Sequence, residues 1–405
     1  MPAVTDGYVA LLRLRGAAVL LSYASAARLI YGVLPIALLL FLSERRSSYG
    51  QAGAVVGLYG LAAGLIGPAR SRLVDRLGAA RGLVVLTTAF ALCLLALVVG
   101  VRSPLVVVMG IGLLAGGFPP PVGPVMRAAW RRMVGNEEAA VRRAYSLDAV
   151  TEEATFVLGP VLATTLVAVL GARVVLLACV VVLGVAVPSM ALRVASLVGV
   201  FATATPTAGP DERGKAPWRH PPFLLGLVPV TSLGLMLGAV EIAAIAAALA
   251  TVGERFAGIP AAALAFGSLI GGLLYGRRKW PGSASAHTVA LTLSAAGLIA
   301  ISAVTTDTFE LLVALLGLAG LMIAPAFVAS YLVADLAAPV GSSEATAWVN
   351  TAFNAALAIG TAGAGVVIDA TSPSTALGAF AVAAALLIAA AGTRLAATRE
   401  AARLP

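Results

Sequence analysis

Long apolar runs, separated by short polar segments, set the rhythm of this chain. Six runs come first, at about 16–41, 51–69, 82–101, 104–130, 142–170 and 173–193. A polar stretch follows at 203–220, TATPTAGPDERGKAPWRH. Six more runs lie at about 222–250, 258–276, 286–305, 308–333, 343–368 and 374–393. Each approaches or exceeds the roughly 20 residues an α-helix needs to cross a bilayer. Lipid offers the backbone no partners, so an isolated span satisfies its own N–H and C=O groups by coiling into a helix. The pattern therefore predicts an all-α integral membrane protein with twelve transmembrane helices. Six belong to residues 1–202, six to 221–405, and 203–220 links them. Arg13 and Arg15 resemble the charged start of a signal peptide, but the run behind them is too long for a signal core and reads as a retained span.

Composition strengthens this picture. The 405 residues are 60% hydrophobic and 11% charged, with a mean hydropathy of +1.00. Soluble domains carry about 25% charged residues. The net charge of +9 follows from the positive-inside rule, so no nucleic-acid partner is expected. With the N-terminus in the cytoplasm, inner segments hold 21 of the 27 Lys and Arg. Outer loops hold five (Arg45, Arg46, Arg102, Arg173 and Arg255), and Arg28 lies within the first span. Both termini are thus expected inside, in the inner (plasma) membrane of the cell. Cys93 and Cys179 sit in apolar runs and give a disulfide no support.

The chain also repeats. A shift of 201 residues lays Arg76 on Arg277, Pro124 on Pro325, Trp130 on Tyr331, Glu153 on Asn354 and Gly159 on Gly360. Breakers and polar residues matching at about half the chain length indicate two parallel repeats, and so two pseudo-symmetric halves.

The loop after the second run reads GPARSRLVDRLGAARG, residues 67–82. It resembles the signature loop of the major facilitator superfamily, Gly-x-Leu-x-Asp-Arg-x-Gly-Arg-Arg. Leu73, Asp75, Arg76 and Gly78 match, whereas Ser71 replaces the first glycine and Ala79-Ala80 the arginine pair. The corresponding segment GGLLYGRRK, 271–279, keeps Gly272 and Arg277 but has Gly276 where the acid would be. Arg28 to Gly78 resembles actinobacterial efflux permease-like members. The resemblance implies the major facilitator fold, with spans 1, 4, 7 and 10 around a central cavity and no cofactor. It also implies a conformational latch at Asp75, Arg76, Gly78 and Arg277. Drug–proton antiporters of the superfamily often carry an arginine early in the fourth span, but Leu105–Phe118 has none. Their Gly-Pro motif is matched here only at its core, Gly159-Pro160.

Candidate chemistry concentrates between Gly116 and Pro160. Pro119, Pro120 and Pro121 interrupt one apolar run, Arg127 follows, and Asp148, Glu152 and Glu153 open the next. Ionisable groups inside spans are costly and mark functional sites by default. Glu152, Glu153 and the isolated Glu241 are candidates for proton coupling. A static pair between one glutamate and Arg127 is the alternative. Asp148 is expected to pair with Arg127 or with Arg142 and Arg143. Arg28 either binds an anionic substrate group or pairs with an acid of the fifth span. Tyr31, Tyr59, Met126, Arg127, Phe327, Asn350 and Asn354 are further candidates for a mostly apolar substrate site.

The two histidines, His220 and His287, are far apart, and no metal, redox or nucleotide motif occurs. No enzyme and no metal site are expected. The expected function is secondary active transport by alternating access, with proton-coupled efflux of a small amphipathic molecule or drug in the lead. Metabolite uptake or facilitated diffusion is the alternative within transport, and a non-transporting receptor or scaffold the alternative from another class. The expected partners are a small-molecule substrate, protons and the lipid bilayer, with the protein a monomer.

Overall fold

A computed structural model describes residues 7–46, 49–135, 137–201, 221–253, 256, 258–278, 280–336 and 343–401. The expected linker at 203–220 lies outside them. The described residues form helices and no strand. In order these are α1 (Tyr8–Arg13), α2 (Ala17–Arg46), α3 (Tyr49–Leu65), α4 (Gly67–Leu77), α5 (Ala79–Val99), α6 (Leu105–Gly117), α7 (Val122–Val134) and α8 (Glu138–Leu170). They continue with α9 (Ala172–Phe201), α10 (Pro221–Val252), α11 (Ile259–Arg277), α12 (Ala284–Ala303), α13 (Phe309–Leu336), α14 (Glu344–Ala370) and α15 (Pro373–Ala401).

Every predicted run carries a helix, but among the described residues length and composition qualify fewer than twelve as spans. Ten stretches pass, with α6 and α7 together as one, and α3–α4 makes eleven if that pair, bent by 54°, is a single broken span. The helix α8 has 33 residues but carries Arg142, Arg143, Asp148, Glu152 and Glu153 in its first half. Its end, Val161–Leu170, is an apolar helix.

The chain packs as two compact units. The first is Met1–Ala140, Thr151–Thr207 and Gly341–Ala347, and the second is Val141–Val150, Ala208–Val340 and Trp348–Pro405. Inside the first, α2 and α5 pack on α9, α3 on α6, and α5 on α6. Inside the second, α10 and α12 pack on α15, α11 on α13, and α12 on α13. These neighbour relations are the same under the 201-residue shift. The core of the second unit is built from small and branched residues, among them Leu233, Val240, Ala295, Ile299, Leu316, Ala319 and Ala384.

Glycine sets the closest of these approaches. Lipid tails are as apolar as leucine, so helices in a membrane gain from tight backbone packing rather than from hiding apolar surface. A Cβ on Gly267 would run into the carbonyl of Gly317, one on Gly271 into that of Leu321, and one on Gly320 into that of Leu264. The α11–α13 pair is thus closed backbone to backbone. The first unit repeats the device, since a Cβ on Gly116 of α6 would strike the Tyr59 carbonyl and the Ala62 Cβ of α3. In the second unit Gly317 faces Ala263, and this pair is Gly116 and Ala62 moved by 201 residues. Likewise Gly32 and Gly159 bring α2 and α8 together, as Gly234, Gly238 and Gly360 do for α10 and α14.

Gly271→Val should therefore lower stability by about 2 kcal/mol or more through overpacking. Gly297→Ala, where an added Cβ meets open space, should leave it unchanged. Thermal unfolding in detergent compares the two.

Candidate functional site

The fourth predicted span is broken. The helix α6 ends at Gly117, and α7 begins at Val122. Pro119, Pro120 and Pro121 supply no backbone N–H, so no regular ladder crosses this point. Carbonyls left without helical partners in an apolar interior need other donors. Tyr31 of α2 donates its hydroxyl to the Pro120 carbonyl at 2.9 Å. Arg70 of α4 donates to the Gly116 carbonyl at 3.0 Å and to the Ala63 carbonyl, near the end of α3, at 2.6 Å. A buried guanidinium thus caps two helix ends, where the peptide dipoles favour a cation.

Just beyond the break lies a group of buried charges. Arg127 is completely buried, and its Nη1 donates to Glu152 Oε2 at 3.2 Å, forming an ion pair. Arg28 is 4% exposed and donates from Nη1 to Thr151 Oγ1 at 3.3 Å. Its charge also acts on Glu152. Both guanidiniums reach Gly123, in the first turn of α7. A Cβ there would lie 3.1 Å from Arg127 Nη2 and 3.5 Å from Arg28 Nη2. The missing side chain leaves room for two cations on one face, with Glu152 beside them. Asp148, one turn earlier on α8, is fully buried, and Glu153 is half-buried.

The remaining candidates are dispersed. Tyr59 is buried and stacks on Phe90 at 6.3 Å between ring centroids, and Met126 is fully buried. In the second unit, Phe327 packs edge-on against Phe353 at 4.6 Å, and Tyr331 donates to Asn350 Oδ1 at 2.5 Å. Asn354 is exposed. Glu241 is exposed too, and its Oε2 accepts from Thr361 Oγ1 at 3.5 Å. Arg142 lies over the Tyr275 ring at 5.8 Å. The Tyr275 hydroxyl and His287 Nδ1 are 2.8 Å apart. No cluster of three or more potential metal ligands occurs among the described residues.

A second arrangement joins α4 to the start of α14 within the first unit. Both Asp75 oxygens accept from the Ser343 backbone N–H, at 3.0 and 3.3 Å. Oδ1 also accepts from Ser343 Oγ at 2.8 Å, and Oδ2 from the Glu344 N–H at 3.3 Å. A carboxylate thereby caps a helix N-terminus, where unsatisfied N–H groups and the dipole favour an anion. Arg72 grips the Glu344 carboxylate with two parallel bonds, from Nε at 3.0 Å and from Nη2. This bond raises the Arg72 pKa above its ordinary value. Of the four expected latch residues, Asp75 makes the capping contact. Gly78, at φ +81°, turns the chain between α4 and α5, and Arg76 and Arg277 are exposed. Sequence reasoning passed over Arg70, Arg72, Thr151, Ser343 and Glu344. A faint signal existed for two of them, since Ser followed by Glu at the head of an apolar run is a helix-start pattern.

Two outcomes check these geometries. Glu152→Gln leaves Arg127 buried without its ion pair and should cost about 3 kcal/mol, while the apolar double variant Arg127→Met/Glu152→Leu should recover most of that. Thermal unfolding of the three proteins decides it. Asp75→Ala removes the cap of α14 and should cost about 1 kcal/mol. Its effect should show as faster hydrogen exchange at the first turn of α14.

The comparisons with known proteins agree with this architecture. The chain is similar in fold to a crystal structure of the human organic anion transporter MFSD10 (TETRAN). The TM-score is 0.64 at 15% identity, covering 93% of this chain and 99% of that one. It is also similar to the E. coli fucose:proton symporter FucP, with a TM-score of 0.61 at 14% identity, covering 92% of this chain and 98% of that one. Among curated proteins none matches the sequence. The family model described as Major Facilitator Superfamily matches residues 19–256. The chain is a multi-pass membrane protein that belongs to the major facilitator superfamily of transporters.

Proposed function

We propose that this protein is a secondary active transporter working by alternating access, and that it couples efflux of a small amphipathic molecule to proton movement. The observation that carries the reading is the buried Arg127–Glu152 ion pair beside the break between α6 and α7. A carboxyl held by an arginine stays ionised, and the same carboxyl withdrawn from that arginine into an apolar site takes up a proton. A conformational change that opens and closes this pair therefore moves a proton. Glu153, on the next position of α8, is a second carrier, and the exposed Glu241 a third. Tyr31 in the first unit and Phe327 and Asn350 in the second are each half-buried, and aromatic and amide groups of this kind suit an amphipathic solute better than a polyhydroxylated one.

Twelve helices in two six-helix halves, residues 1–202 and 221–405, complete this reading. A helix on every predicted run and glycine contacts shared under the 201-residue shift support it. Lys and Arg patterning favours the inner membrane with both termini cytoplasmic. The contact of Asp75 with the start of α14 is the proposed latch, which must break and re-form once per cycle. A second reading, carriage of an anionic metabolite, draws support from Arg28 and Arg127 meeting at Gly123. The names of the two structural neighbours give precedents within this fold for organic anions and for proton coupling.

Proteoliposomes carrying a pH-sensitive dye test the coupling. Once a substrate is found by thermal shift, its addition should drive proton flux, and Glu152→Gln should reduce that flux about tenfold or more. Substrate-driven transport that continues without proton flux, and unchanged in Glu152→Gln and Glu153→Gln, overturns coupling through these acids.

A further inference from the structure

The end of the first unit at which α2 and α5 finish and α9 begins contains a cavity of about 330 Å³. Three arginines line it: Arg45 from the last turn of α2, Arg102 just after α5, and Arg173 at the second position of α9. Its apolar wall includes Phe41, Val98 and Val99. No acid is among the described lining residues; Glu44, the neighbour of Arg45, is exposed and is not one of them.

This convergence runs against two physical preferences. Like charges around one small cavity repel. A cation in the first turn of a helix also opposes the macrodipole, and Arg173 stands there. Dipoles explain Arg45 and Arg102, which follow helix C-termini, but not Arg173. Charge patterning sharpens the point, because only five Lys or Arg fall on this side of the expected topology and three of them line the cavity. A bound anion would offset both costs.

The surroundings indicate which anion. Val99 is 82% exposed and heads a line on α5 formed with Leu95 and Leu92, which are 37% and 61% exposed. Spaced three or four residues apart, these share one helix face. On α9, Val174, Val181 and Val185 form a similar line below Arg173, at 50%, 64% and 60% exposure. The cavity thus sits at the head of exposed apolar stripes, where a headgroup would lie with its acyl chains along α5 and α9. Basic pockets between spanning helices suit anionic headgroups.

We propose that Arg45, Arg102 and Arg173 form a binding site for the phosphate of an anionic phospholipid. The site is separate from the Arg28–Arg127–Glu152 group and does not depend on the transport reading. The test is thermal unfolding of the purified protein in detergent, with phosphatidylglycerol or phosphatidylcholine added at equal mole ratio. Phosphatidylglycerol should raise the transition by about 5 °C over phosphatidylcholine, because a ligand of the folded state stabilises it. Arg45→Gln/Arg102→Gln/Arg173→Gln should abolish that difference. Arg13→Gln/Arg81→Gln, which removes two exposed cations elsewhere, should retain it. The triple Arg→Lys variant keeps the charge and should retain at least half, which guards against a folding defect in the glutamine variant. Equal rises with the two lipids, a full rise in the glutamine triple variant, or loss of the rise in the lysine variant would overturn the proposal. So would millimolar inorganic phosphate that produces the full rise alone and leaves no further effect for the lipid, since the ligand is then a free anion.

Discussion

A bilayer core offers no water to a polar group, and every unusual feature of the first unit answers that constraint. Three prolines end α6 and separate it from α7, and carbonyls near the break need donors. Tyr31 and Arg70 reach in from α2 and α4 to supply them. The two side chains tie the break to helices on either side of it. Arg127 then needs an anion, and Glu152 provides it from α8. Arg28, Thr151 and Gly123 complete a compact polar island. Each member is expensive to bury alone and tolerable only with the others.

Packing around the island follows a different rule. Where hydrophobic burial gives helices little reason to associate, glycine lets backbones touch. Pairs α3–α6 and α11–α13 close at Gly116 and at Gly267, Gly271 and Gly320. Such contacts hold helices at fixed separation while leaving few side chains interlocked. That suits a transporter, whose helix pairs move as bodies. The charged contacts at the start of α14 are of another kind, a few directional bonds from Asp75 and Arg72. Glycine thus lets backbones touch between helices of a pair, and charge caps a helix end.

Charge is distributed unevenly under the 201-residue shift. At the positions of Arg127 and Glu153 the second repeat has Val328 and Asn354. Its interior instead holds the Tyr331–Asn350 hydrogen bond and the Phe327–Phe353 contact, which carry no charge.

The sequence by itself determined the all-helical membrane class, the family and the places where charge enters apolar runs. Those follow from hydropathy, proline and lysine–arginine patterning, which act locally or average over a run. It also marked Arg127 and Glu152, because a charge inside an apolar run stands out whatever it touches. Which charge met which was decided only in three dimensions. Arg28 was expected to bind an anion or pair with an acid of the fifth span; it donates to Thr151, meets Arg127 at Gly123, and its charge acts on Glu152. Arg70 and Arg72 read as topology-setting loop cations, yet one caps α6 and the other holds Glu344, 272 positions away. The motif singled out Asp75, whereas its hydrogen-bond partner Ser343 carried no such mark. A residue's cost of burial is written in its own chemistry, but the partner that relieves the cost lies wherever packing brings another helix end.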